Sequence, residues 1–400
     1  MNRPTFMALG DVAQFIRGIN FKPDDVVPVG TEGSVACMRT KNVQSELDLT
    51  DVWAVSETFV RRNEQLLQTG DILVSSANSW NLVGKCSWVP ELPWRTSFGG
   101  FVSVLRGNSA HVDARYLYQW FSWEHTQALL RSFGQKTTNI SNLNIDRALA
   151  LKLPLPSLHE QRRIATILDQ AETLRTQRRT ALALLDSLAQ SLFLDMFGDP
   201  AKNPYGWVIG KIGDMLESAS YGTSEKSGHD GKFPVLRMNN ITRTGELDLE
   251  DLKYMDLPSK DHERYLVKAG DVLFNRTNSA ELVGKTAIVP QSAPSLAYAG
   301  YLVRLRVNDA NHPMYLARFL NTPYAKRMLR GMCKSIVGMA NINAKEIQAM
   351  RIALPPLPLQ QTFATRIQSI EALKATHRRA LAALDELFAS LQQRAFAGLL

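Results

Sequence analysis

The chain is written twice. The stretch GDILVSSANSWNLVGKCSWVP (70–90) returns 200 residues later as GDVLFNRTNSAELVGKTAIVP (270–290), keeping Gly-Asp, Asn-Ser, Leu-Val-Gly-Lys and Val-Pro. ELDLTDV (46–52) returns as ELDLEDL (246–252), Arg39 and Asn42 as Arg237 and Asn240, and Tyr116-Leu117 as Tyr315-Leu316. NISNLN (139–144) matches the end of GMANIN (338–343). This period is far longer than a solenoid repeat, and each copy is long enough to bury a core of its own. The expected fold is α+β, with two domains related by a pseudo-two-fold axis inside one chain, imitating a homodimer.

Each copy ends in a long apolar-periodic tail. Residues 157–198 contain no Gly or Pro before the last position, and Ser157 and Glu160 have capping-box spacing. Taking Ile164, Ala171, Arg178, Leu185 and Leu192 as one heptad position, a second stripe three residues on reads Ile167, Leu174, Ala181 and Leu188. The second tail keeps the phase with Phe363, Ile370, His377, Leu384 and Leu391, followed by Leu373, Ala380 and Leu387. A helix of this length spans ~60 Å, too long to be covered by one domain face, so the two tails are expected to pair as an antiparallel coiled coil. The equivalent Arg178 and His377 fall near mid-helix and are expected to form a polar layer that sets the register. The predicted boundaries are 1–153 and 200–353 for the globular domains, and 154–199 and 354–400 for the spacer helices.

Within a globular copy, GDILVSS, KCSWVP and GFVSVLRG read as strands and residues 113–133 as a helix, with exposed loops at 75–85, 134–142, 275–285 and 331–342. Catalytic signatures are missing: the sequence has no H-E-x-x-H, no G-x-S-x-G and no H-x-E with C-x-x-C. The three cysteines lie far apart and the histidines form no cluster, so no metal site and a reducing, cytoplasmic setting are expected. No stretch approaches ~18 uninterrupted apolar residues, and no membrane span is expected. Gly284-Lys285-Thr286 resembles the end of a phosphate loop, but position 279 is Ser rather than Gly, and the other copy ends Gly84-Lys85-Cys86. A net charge of +8 favours a polyanionic partner, and residues 198–358, with 21 basic and 16 acidic groups, hold most of the excess.

With these features together, the chain resembles the specificity subunits of type I restriction–modification systems. LPLPSLHEQRRIATILD (153–169), LLDSLAQSLFLDMFGDP (184–200), LPPLPLQQTFATRI (354–367) and the duplicated G-D-[IV]-L…L-V-G-K element carry the resemblance. It implies a non-catalytic subunit with two target-recognition domains, each reading half of an asymmetric bipartite site in double-stranded DNA. It also implies partners: two modification subunits that use S-adenosylmethionine, and restriction subunits that use ATP and Mg²⁺. This chain itself would hold no cofactor.

On that reading Arg276 can pair bidentately with guanine and Asn275 or Asn278 with adenine, whereas their counterparts Ser75 and Ser76 cannot make the arginine contact. Lys85, Lys285, Lys136 and Lys334 are expected at phosphates. Arg39 and Arg237, with Asn42 and Asn240, either meet DNA or brace their loops. Asn78 and Asn278 either contact bases or make turns. Two other readings stay open: a coiled-coil scaffold that does not touch DNA, and a nucleotide-binding protein using the GKT-like loop.

Overall fold

The computed structural model describes residues 5–136, 140–336 and 339–400, with residues 135–136 and 334–336 described in their backbone alone. The chain divides into two compact units: residues 1–177 with 380–400, and residues 178–379. Each unit takes one globular copy and one half of each long helix.

In the first unit, the strands Ala13–Arg17, Val102–Gly107, Ile72–Ser75 and Cys86–Trp88 lie side by side in that order, all antiparallel. A second sheet sets Ser34–Met38 between Trp53–Ser56 and Thr96–Phe98, the latter parallel. The short strand Ala77–Asn78 continues from the first sheet and pairs with a hairpin of Gln135–Lys136 and Ser141–Asn142. The second unit repeats the order with Leu216–Tyr221, Leu302–Val307, Val272–Asn275 and Thr286–Ile288. There Phe233–Leu236 lies between Lys253–Met255 and Ala297–Tyr298, and Thr277–Asn278 meets the hairpin of Lys334–Ile336 and Met339–Asn341. The strands expected in the three quoted runs are present. The single helix expected over 113–133 is two, Ala114–Ser122 and Glu124–Ser132, because Trp123 is extended. The break sets the Trp123 ring against Phe396 at 5.3 Å.

The motifs that repeat serve the fold. Gly70 and Gly270 have φ of +96° and +86°, a region that costs a side-chain-bearing residue but not glycine. The adjacent Asp71 is buried and accepts the Gln68 amide (2.8 Å) and a bidentate pair from Arg106 (2.6 and 2.7 Å). Asp271 does the same with Lys268 and Arg306. Gly-Asp is therefore a turn plus a buried ion pair at the start of a central strand.

The long helices run Leu158–Phe197 and Leu357–Phe396, 40 residues each. In the first unit residues 158–177 share a core with the end of the second helix: Ile164, Leu168, Ala395 and Phe396 cluster with Tyr116 and Leu117. In the second unit Phe193, Phe197, Phe363 and Ile367 cluster with Tyr315 and Leu316. The start of one helix thus lies with the end of the other, an antiparallel pair. Ser157 Oγ accepts the Glu160 amide as the capping spacing predicts, but the Glu160 carboxylate turns to Arg163. One device fixes both helix starts. Buried Gln161 accepts the Asp113 amide and donates to Pro156 O, and Gln360 accepts the His312 amide and donates to Pro355 O, all at 2.8 Å.

The heptad needs one correction. The first position is as expected, but the second seam position lies four residues on, not three. It reads Leu168, Arg175, Leu182, Ala189 and Met196 in the first helix, and Ile367, Lys374, Leu381, Phe388 and Ala395 in the second, all buried or half-buried. Of the expected stripe, Leu174, Leu188, Leu373 and Leu387 face outward, each about half exposed, whereas Ile167, Ala181 and Ala380 are half-buried. The seam carries more charge than expected. Arg178 Nη1 meets His377 Nδ1 at 3.2 Å in the second unit. Arg175 bonds Glu172 and Asp385, and Lys374 bonds Glu371 and Asp186. The two layers set a cation against a Glu and an Asp at equivalent positions, 199 residues apart, with Arg175 in one and Lys374 in the other. The first helix also has an 18-residue window of mean hydropathy 1.3, long and apolar enough to cross a bilayer by length and composition. The expectation of no span rested on uninterrupted apolar runs, which this helix lacks.

Candidate nucleic-acid interface

Several candidate residues turn out to brace their own loops. The Arg39 amide donates to Asn42 Oδ1 (2.8 Å), and buried Asn42 donates through Nδ2 to the carbonyls of Asp48 and Asp51 (2.8 and 3.0 Å). Arg39 lies over the Trp53 ring at 3.5 Å and bonds Asp51. The second unit repeats the arrangement with Arg237, Asn240, Asp248 and Asp251. Asn42 and Asn240 thus brace their loops, one of the two alternatives expected of them: their side-chain amides are held by main-chain groups. Asn240→Ala is expected to lower stability by about 1–2 kcal/mol in urea melts and leave DNA selectivity unchanged, because it removes a buried side chain that closes the loop through two main-chain carbonyls and the Arg237 amide. Altered selectivity at unchanged stability would return Asn240 to the readers.

The repeated lysines are also engaged. Lys85 Nζ donates to Gln44 Oε1 (2.5 Å). Lys285 Nζ donates to Met238 O (2.9 Å) and to Ile241 O. Each ties its Gly-Lys turn to the loop closed by the Arg-x-x-Asn brace. Gly84 and Gly284 have φ of +84° and +81°. In the second unit burial, then the charge of Arg243, pulls the Lys285 pKa down. Behind it half-buried Lys326 donates to Gly284 O and Asn321 Oδ1, and desolvation chiefly, with the charges of Lys285 and Arg330, lowers its pKa to about 8. Thr286 opens a strand rather than a helix. A phosphate loop delivers its lysine to a helix N-terminus with backbone amides around the anion, so the nucleotide reading loses its geometric basis.

Ser75 and Asn275 are buried, the first accepting Asn78 Nδ2 at 3.0 Å and the second donating weakly to Met238 O. Their expected contact with bases is corrected for that reason. Asn78 and Asn278 accept the amides of Ser79 and Ser279, a turn role, and both remain partly exposed. Ser76 and Arg276 are half-buried at the strand break. Arg276 Nη2 donates to Asn341 Oδ1 (2.9 Å), and its guanidinium lies 5.0 Å over the Tyr221 ring. Lys136 and Lys334 sit on the hairpins by backbone, and their side chains lie outside the described residues.

Among the described residues, buried side-chain polar atoms without a partner include Arg39 Nε and Arg237 Nε at the two braces, Arg304 Nε, and the consecutive Asn275 Oδ1, Arg276 Nε and Thr277 Oγ1. Unmatched buried groups cost free energy unless something else supplies the bond. In both units a strand break, a pair of antiparallel strands and an exposed aromatic turn meet, at 76–78, 135–136 with 141–142 and Phe101, and at 276–278, 334–336 with 339–341 and Tyr301. The two aromatics carry no motif and escaped the sequence reading. Their signal was only an aromatic after glycine in both copies. Among the described residues no group of three His, Cys, Asp or Glu is placed to hold a metal.

A family model described as the type I restriction modification DNA specificity domain matches residues 5–183 and again 204–386. The chain belongs to this family. It is a specificity subunit of a type I restriction–modification enzyme, a non-catalytic component whose duplicated domain is the duplication read above. It is 27% identical to the EcoKI specificity subunit of Escherichia coli strain K12, over 97% of this chain and 87% of that protein. It is 24% identical to the StySPI specificity subunit of Salmonella potsdam, over the same shares. The crystal structure of the type I S subunit from M. genitalium superposes with a TM-score of 0.63 at 13% identity, covering 99% of this chain and 97% of that one. This last likeness speaks to the fold alone.

Proposed function

We propose that each unit of this specificity subunit reads one half of an asymmetric bipartite DNA site. Residues 1–153 and 200–353 act as target-recognition domains, and 154–199 and 354–400 as the spacer between them. The reading edge of each domain is the strand break with its paired strands: 76–78 with 135–136 and 141–142, and 276–278 with 334–336 and 339–341. The half-buried Arg276, whose Nε has no partner, carries this reading in the second unit, because a base edge can supply the acceptor that the protein withholds there. Lys136 and Lys334 on the hairpins supply phosphate contacts, which position without specifying.

Two modification subunits using S-adenosylmethionine dock on the outward leucines of the helix pair. These are Leu174 and Leu387 in the first unit, and Leu184, Leu188 and Leu373 in the second, each about half exposed. A stripe of this kind on both helices marks a protein interface. Restriction subunits using ATP and Mg²⁺ complete the assembly in the cytoplasm.

Mapping methylated adenines in DNA from cells carrying the complete system tests the reading: the expected pattern is two fixed half-sites and one constant gap. Arg276→Ala is expected to relax one position of one half-site by about 1–3 kcal/mol and leave the other half-site intact. A loss spread evenly over all sequences would make Arg276 a phosphate contact instead.

A further inference from the structure

Phe101 and Tyr301 occupy equivalent places, 200 residues apart, at the tip of the turn that enters the strands Val102–Gly107 and Leu302–Val307. Phe101 is 64% exposed and Tyr301 51%. An exposed aromatic is unremarkable on a mobile loop, but these turns are fixed at several points. The amides of Ser76 and Ala77 both donate to Phe101 O at 3.1 Å, and the Arg276 amide donates to Tyr301 O at 3.0 Å. Val102 N closes the turn on Gly99 O, and Leu302 N on Ala299 O, each at 2.9 Å. A neighbouring main-chain segment then crosses so closely that no side chain fits. A Cβ on Gly18 would lie 2.3 Å from Gly99 O, and one on Gly222 would lie 2.4 Å from Ala299 O. The chain thus forgoes burial of a large ring in both copies and spends backbone bonds to hold it out. In each copy one of those bonds is donated by the half-buried reader position itself, Ser76 or Arg276.

Resting on the reading of each unit as a half-site reader, we infer that Phe101 and Tyr301 are base-contacting, specificity-determining residues, one for each half-site. Each supplies an apolar contact beside the polar readers. The pairing of an aromatic with the adjacent strand break gives each half-site a polar and an apolar determinant on one rigid edge. Apolar contacts of this kind discriminate by the thymine methyl or by the ease of parting a base step. Because the ring is held by the turn rather than by its own packing, removing it leaves the turn's bonds, which run through main-chain atoms, in place.

The test uses the full chain assembled with its modification subunits, and duplexes carrying the mapped site, single base-pair variants of it, or an unrelated sequence. Phe101→Ala is expected to weaken cognate binding about 5- to 100-fold, to flatten discrimination at one or two positions of one half-site, and to leave the unrelated duplex unchanged. Tyr301→Ala should do so at the other half-site, and Tyr301→Phe should keep near-full selectivity because the ring makes the contact. Thermal melting of each variant near the parent value keeps the comparison clean. Equal weakening on cognate and unrelated duplexes would overturn the inference by making the rings backbone contacts, as would affinity within twofold of the parent at every site. In either case retained two-half-site methylation leaves the reading of the units standing.

Discussion

Lys374→Ala is expected to lower the unfolding free energy of the second unit by about 2–4 kcal/mol, read as a shift in urea midpoint at constant slope. Lys374 is 2% exposed at a seam position, and its ammonium lies 2.7 Å from Asp186, 2.6 Å from Glu246 and 3.3 Å from Glu371. Alanine leaves three carboxylates facing one another around a cavity. They are partly exposed and regain some water, which keeps the cost below that of a fully buried pair. Lys374→Arg tests the mechanism, because Arg175 fills the equivalent position in the first unit with Glu172 and Asp385. Arginine should restore most of the loss. If alanine costs less than about 0.5 kcal/mol, the layer is solvated and the seam rests on its apolar positions alone.

The same cluster sets a pH dependence. Burial works against the Glu246 charge, but the bonds from Arg378 and Lys374 outweigh it and hold its pKa below the usual glutamate value. A depressed folded-state pKa gives stability that is present above the unfolded value and lost as pH falls through the folded one. Burial likewise opposes the Lys374 charge, and the bonds to Asp186 and Glu246 outweigh it, raising that pKa. Its contribution is complete below the ordinary lysine value and lost as pH rises through the folded one. The cluster therefore stabilises the second unit across the neutral range and fails at both extremes.

The duplicated architecture was legible because a whole-domain repeat needs no propensity argument: two copies of Gly-Asp, Leu-Val-Gly-Lys and Tyr-Leu at one offset imply two copies of one fold. The seam was half legible. Its first position is apolar enough to find, but its second contains Arg175 and Lys374. A hydrophobic count therefore preferred the neighbouring stripe through Leu174 and Leu188, which the structure turns outward. The two errors are one: outward-facing leucines imitated a core, and core charges imitated a surface.

At the interface the same ambiguity recurs. Residues that persist between copies, such as Asn42 and Asn240 or Lys85 and Lys285, persist because the fold consumes their polar groups. A reader is expected to differ between copies, as Ser76 and Arg276 do. Repetition therefore marks the frame, and divergence within it marks the reading edge.

Lengthening the spacer should change which sites are recognised more than any point substitution. Both long helices are continuous, and each contributes its first half to one unit and its second half to the other. Inserting seven residues after Gln177 and seven after Arg379 preserves the alternation of three and four residues along both seams. An insertion of four would turn everything after it by about 40° and break the heptad phase of both seams. Seven residues add about 10 Å of helix, close to the rise of three base pairs. Methylation of the original site should fall to background. A site with the same two half-sites and a gap about three base pairs longer should take its place in the methylation map. Insertion into one helix alone should instead lower thermal stability, because the seams then disagree. An unchanged gap in the doubly lengthened variant would sink the spacer reading, while altered half-sites would show that the inserted residues disturb the domains themselves.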